Sequence, residues 1–272
     1  MFTLLFLAVI PLDAGVPAFA GEECSPQDPV TCIARCKKGD QPACVNLGVA
    51  QQRGDRVARD VTGAYTRFAK ACEQGVWTGC GHQASSLEWG RGVTRDEPRA
   101  RVQHREACAH SVEFSCSALG DMLAEGRGGP ADSEAAVPLF EHACLLDDPL
   151  GCAKYADLLA RGQGVERDPP RARELAKRSC MRLHGFGCHL FASLALREAD
   201  SPEQRMEAVN AFHRSCNVGF GQGCAALAVI SSDSAETPAQ RKNAARLWTR
   251  ACELGFKTAC QTKLPGVRSL ER

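Results

Sequence analysis

Apolar residues recur at helical spacing along most of the chain. Cys152, Tyr155, Ala156 and Leu159 fall at i, i+3, i+4 and i+7, and Tyr65, Phe68, Ala69 and Cys72 repeat that spacing in another stretch. A large residue is followed by a small one at Leu47-Gly48, Leu119-Gly120, Tyr155-Ala156, Phe191-Ala192 and Leu227-Ala228, with Gln83-Ala84 in the same register. A large residue beside a small one lets two helices approach closely. Between the apolar stretches lie turn signals. Gly54, Gly90, Gly126 and Gly162 mark the end of a first helix. Asp60, Asp96, Asp132 and Asp168 are placed as N-caps of a second. Pro169 then stands at a first helical position. The unit reads as helix A, a loop of roughly six residues, helix B and a short turn. The last two units lack the Gly and Asp signals, which leaves their A–B connections open.

The cysteines give the period. Cys36, Cys72, Cys108, Cys144, Cys180, Cys216 and Cys252 are spaced by 36, and each is followed eight residues later by Cys44, Cys80, Cys116, Cys152, Cys188, Cys224 or Cys260. Cys24 and Cys32 share the spacing of eight. A fixed period of this size is the mark of a solenoid. The first cysteine of each pair falls near the end of helix B and the second at the start of the next helix A, with a reversing turn such as Glu73–Gly79 between them. That turn brings the pair within bridging range, so eight disulfides between residues eight apart are expected. A Cys32–Cys36 bridge is the competing arrangement, and it leaves Cys24 and Cys44 without partners. A spacing of eight differs from the C-x2–4-C knuckle of zinc sites, and no histidine recurs beside the pairs, so no metal and no cofactor is expected. Each short bridge is worth ~2–3 kcal/mol in the chain-entropy model.

Composition narrows the class. Of 272 residues, 44% are hydrophobic but only 6% aromatic, so the core is built from many small contacts. A formal charge of +1 gives no ground for nucleic-acid binding. Residues 1–20 carry a short apolar run and end in Ala18-Phe19-Ala20, the form of a secretory signal, although no Lys or Arg precedes the run. The expected organisation is a signal over 1–20, an N-terminal cap with a helix near 26–38 over 21–41, helical repeats over 42–259, and a short cap and tail over 260–272. In the tail, Leu264-Pro265-Gly266 stops the last helix. No membrane span remains after signal removal. A periplasmic or secreted monomer is expected, and an oxidising compartment agrees with the bridges.

The columns together — the large-small pair on helix A, glycine near its end, Asp-x-x-x-Ala opening helix B, and Ala-Cys-x7-Cys across the turn — resemble the Sel-one-like repeat, which is related to tetratricopeptide repeats. The cysteine form resembles the secreted Helicobacter cysteine-rich proteins. The resemblance covers residues 30 to 262. It implies an all-α, αα-hairpin solenoid wound as a right-handed superhelix, with about six full repeats plus caps. It also implies a protein or peptide partner bound on the concave face. In the tetratricopeptide register, that face takes the positions one, five, eight and nine after the second cysteine. They include Arg53, Glu88, Trp89, Asp121, Glu125, Asp157, Arg161, His189 and Arg197. Some cysteine-rich relatives are described as penicillin-binding proteins or weak β-lactamases, which gives an alternative reading.

The residues give that alternative little. A serine β-lactamase needs Ser-x-x-Lys, and no serine here has lysine three residues on. Lys257-Thr258-Ala259 falls short of Lys-Thr-Gly, and the seven histidines form no H-x-H or H-E-x-x-H. The sequence points to a binding scaffold and assigns no catalytic residue.

Overall fold

The computed structural model describes residues 24–233 and 236–261. The expected signal over 1–20 and the Leu264-Pro265-Gly266 stop lie outside the described residues. Fourteen helices follow one another in hairpins, with no strand among the described residues. Helix α1 (Pro29–Lys37) stands alone at the N-terminal end. The A helices are α2 (Gln41–Arg53), α4 (Trp77–Trp89), α6 (Glu113–Glu125), α8 (Pro149–Arg161), α10 (Gly185–Glu198) and α12 (Gly221–Asp233). The B helices are α3 (Val61–Glu73), α5 (Glu97–Ala109), α7 (Ser133–Leu145), α9 (Pro169–Met181), α11 (Pro202–Asn217) and α13 (Pro238–Glu253). The short α14 (Lys257–Gln261) begins a further A position. The first helix starts later than the sequence suggests, because Ser25–Asp28 form a turn before Pro29.

Local chemistry sets the boundaries. Gly54, Gly90, Gly126 and Gly162 end α2, α4, α6 and α8 in the left-handed region. Asp60, Asp96, Asp132 and Asp168 each accept a hydrogen bond from the backbone N–H three residues on, closing the N-terminal turn of α3, α5, α7 and α9. The last two repeats use a different device. Ser201 and Thr237 cap α11 and α13, with Pro202 and Pro238 at the first helical position, and Thr237 forms a full capping box with Gln240. These two B helices are sixteen residues long instead of thirteen, so a shorter loop is compensated and the 36-residue period holds.

All sixteen cysteines are bridged at a spacing of eight, with Cα–Cα distances from 4.2 to 4.9 Å. From Cys36–Cys44 onward, each bridge joins the end of a B helix, or of α1, to the start of the next A helix. Small residues make that approach possible. A methyl group on Gly187 would lie 2.1 Å from Ser179 Oγ, and one on Gly79 would lie 2.8 Å from Ala71 Cβ.

Each A helix from α2 to α12 touches the next A helix, whereas neighbouring B helices meet more sparingly, α9 with α11 most of all. A stack curves toward its more closely spaced rank, so the A helices form the inner face. The main core lies between the two ranks from α6 to α13 and includes Leu119, Phe140, Tyr155, Phe191, Phe212 and Leu227.

Candidate functional site

A cleft of about 700 Å³ opens on the A rank at its C-terminal end. Helices α8, α10 and α12 supply most of it, and Trp248 of α13 and Phe256 before α14 close one side. Positions on α10 show how the sequence builds the wall. Phe186, His189, Leu190, Ser193, Leu194 and Arg197 fall at helical spacings along one stripe. Leu190 and Leu194, each 8% exposed, form a floor continuous with the core. Val229 of α12 is 46% exposed and marks the open rim.

The charges lie at one end of this stripe. Arg161 and Arg197 occupy the same position in consecutive repeats, nine residues after Cys152 and Cys188. Arg161 donates through Nε to Asp157 Oδ1 at 3.0 Å, one turn back on α8. Arg197 has no ion pair among the described residues. His189 is packed against Phe212 and Phe220, with ring centroids 5.5 and 5.7 Å away. Burial pushes its pKa below the ordinary value, so it is neutral at pH 7 and adds no charge. Ser193 donates its hydroxyl to His189 O at 2.8 Å, so its proton is held by a carbonyl and not by a base.

Four of the nine groove residues expected from the sequence therefore come together: Asp157, Arg161, His189 and Arg197. The other five do not join them. Asp121 pairs with Lys154 Nζ at 2.7 Å, which ties α6 to α8. Glu125 accepts from Arg127 Nε at 2.7 Å. Trp89 is 54% exposed, with the Arg127 guanidinium 5.3 Å from its ring centroid. Arg53 is exposed at the end of α2. Glu88 lies apart from the other eight in its burial. It is buried, only 3% exposed, and its carboxylate accepts from His104 Nε2 at 3.3 Å and from Arg127 Nη1. Burial alone would raise its pKa, but the hydrogen bonds from His104 and Arg127 outweigh that and hold it below the ordinary carboxylate value. Both carboxylate oxygens of Glu88 are thus engaged within the protein.

Sequence reasoning missed Phe186, Leu190, Val229, Trp248 and Phe256. The tetratricopeptide register omits the positions two before and two after the second cysteine, and Phe186 and Leu190 occupy these. A bulky residue two before that cysteine, seen in Phe114, Leu150 and Phe186, was the available signal.

One group of three metal-binding atoms converges among the described residues, at Cys108, Cys116 and His142. Both sulfurs are spent in a disulfide, so the group offers a metal no free thiolate.

Comparison with known families agrees with this architecture. A family model of the Sel1 repeat matches residues 41–76, 84–102, 114–148, 149–182 and 221–256, more than half of the chain. The chain belongs to the Sel1 repeat family. Sel1 repeat proteins are in general protein-interaction scaffolds. No curated protein matches the chain by sequence. Among solved structures, a protective antigen of uropathogenic Escherichia coli with an SLR fold is 25% identical, with a TM-score of 0.59 over 85% of this chain and 50% of that one. This chain thus spans half the length of that antigen. A Sel1 repeat protein from Oxalobacter formigenes is 18% identical, with a TM-score of 0.66 over 82% of this chain and 96% of that one. Helicobacter pylori cysteine rich protein B is 23% identical over 46% of this chain and 89% of that one, with a TM-score of 0.37.

Proposed function

We propose that this Sel1 repeat chain is an exported scaffold that binds a protein or peptide partner on its A-helix face, with the C-terminal cleft as the main contact. The observation that carries the reading is the cleft itself. An apolar floor, half-buried aromatic walls and an arginine with no ion pair among the described residues meet on the face that the repeats leave open. Binding sites combine concavity with a few placed polar groups in this way. Eight disulfides fit an extracytoplasmic protein, and export to the periplasm or beyond is part of the proposal. No helix among the described residues is long and apolar enough to cross a membrane.

Two exposed valines provide a matched test. Val229 stands in the cleft and Val102 on the B helix α5, at 46% and 50% exposure. A photo-crosslinking amino acid is placed at each position in turn and irradiated in cells of the source organism. Adducts from position 229, with few from 102, are expected. Equal labelling from both positions would sink the reading.

A further inference from the structure

The cleft also limits what the partner offers, and this inference rests on the scaffold reading above. Three of its features are independent. First, its charge is unbalanced: Arg161 has Asp157 as a partner, while Arg197 one repeat on has none among the described residues. A guanidinium at the edge of an apolar cleft is matched by a carboxylate, which can accept two parallel hydrogen bonds from it. Second, the surface beside Arg197 is apolar. Leu190 and Leu194 form the floor, and Trp248 and Phe256 form one side, where a bulky side chain gains the most by leaving water. Third, the cleft is open. Val229 at its rim is 46% exposed, which leaves a lipid tail largely in water but suits a side chain carried on an extended backbone.

The geometry points to a peptide segment in which an acidic side chain stands next to a bulky apolar one, the carboxylate on Arg197 and the apolar group against Trp248 and Phe256. The salt dependence follows from the same contacts, since the exposed charge pair is screened while the apolar contact is not.

The test uses the full, oxidised chain and an immobilised array of twelve-residue peptides. Each array sequence is present in four forms: acidic-apolar, amide-apolar, acidic-alanine and amide-alanine. Acidic-apolar forms are expected to retain the protein at least tenfold better than their amide partners. Arg197→Gln should abolish that preference and Trp248→Ala should weaken retention, while Arg91→Gln, in the loop after α4, should change nothing. Melting curves establish that each variant is folded. A chain ended after Gln261 should keep the preference. Its loss there would assign binding to residues 262–272 and overturn the proposal. So would equal retention of acid and amide forms, a preference unmoved by Arg197→Gln, or Arg197-dependent binding of decanoate with no peptide retained. Retention that ignores the acid removes this inference and leaves the scaffold reading in place. An array without retention, together with no crosslinks from position 229, removes both.

Discussion

Arg127, in the loop after α6, donates to the carboxylate of Glu88 near the end of α4, one repeat back along the array. The contact makes an A–B loop part of the joint between two repeats. His104 of α5 approaches the same carboxylate from the other side. Glu88→Gln keeps the shape but removes the charge from a buried site, and should lower stability by about 2–4 kcal/mol. The folded-state pKa of Glu88 is depressed, so its contribution is present above the unfolded value near 4.5 and is lost as pH falls through the folded value. Denaturant titrations at a series of pH values should show Glu88→Gln and wild type converging in acid. Parallel curves would contradict this.

His82 acts in the same direction but at higher pH. It is packed between Phe68 and Phe114, at centroid distances of 5.0 and 4.7 Å. Burial, and then the charge of Arg53, push its pKa down to about 4. The unfolded chain takes up this proton near 6.5, so stability should fall as the pH drops from 6.5 toward 4, by ~2–3 kcal/mol. His82→Gln should flatten the slope in that window, as read by unfolding midpoints at each pH.

Every turn from helix B to the next helix A passes through the left-handed region. Gly39, Gly75, Gly219 and Gly255 do so freely, whereas Leu183 is held there at φ 58°. A leucine in this region costs about 1–2 kcal/mol, part of which glycine gives back through its greater freedom when unfolded. Leu183→Gly should therefore raise stability by about 1 kcal/mol. The side chain is 63% exposed, so little packing is lost. A lower melting temperature in the variant would show that the leucine packs against something of value.

The small column after the large one is not interchangeable between repeats. A methyl group on Gly48 would lie 2.6 Å from Phe68 Cε1, and one on Gly120 would lie 2.7 Å from Phe140 Cε1. The corresponding residues in four other repeats are alanines. Gly120→Ala should destabilise by about 1–3 kcal/mol through overpacking against a ring that has little room to move. Calorimetry of Gly48→Ala and Gly120→Ala should show the same direction for both.

The last bridge holds the smallest element. Helix α14 has five residues, too few to persist alone, and Cys252–Cys260 fastens it to α13. Replacing both cysteines by serine should release the amide protons of α14 to fast exchange while those of α10 and α11 stay protected. Loss of protection throughout the array would refute a local role for this bridge.

Much of the fold was legible because each repeat states the same chemistry at the same spacing. Glycine at the end of helix A, aspartate before helix B and cysteine on both sides of the turn need no distant partner to be understood. The two ends of the legible region have physical reasons. In repeats five and six, the Gly and Asp signals give way to Ser201-Pro202 and Thr237-Pro238, an equally local device but one outside the repeating pattern. At the candidate site, Arg161 and Arg197 could be found by register. The burial of Glu88 could not be read, because its partner Arg127 lies 39 residues later in the chain. Trp248 and Phe256 enter the cleft from outside the A helices, and a periodicity confined to one helix type cannot reveal them.

The sixteen cysteines pair strictly as neighbours in chain order, the first with the second, the third with the fourth, and so on to the end. An oxidase that joined thiols strictly in chain order would therefore make every native bridge at the first attempt. Oxidation in that order would leave nothing for an isomerase to unscramble, and each hairpin could be locked before the next one is made.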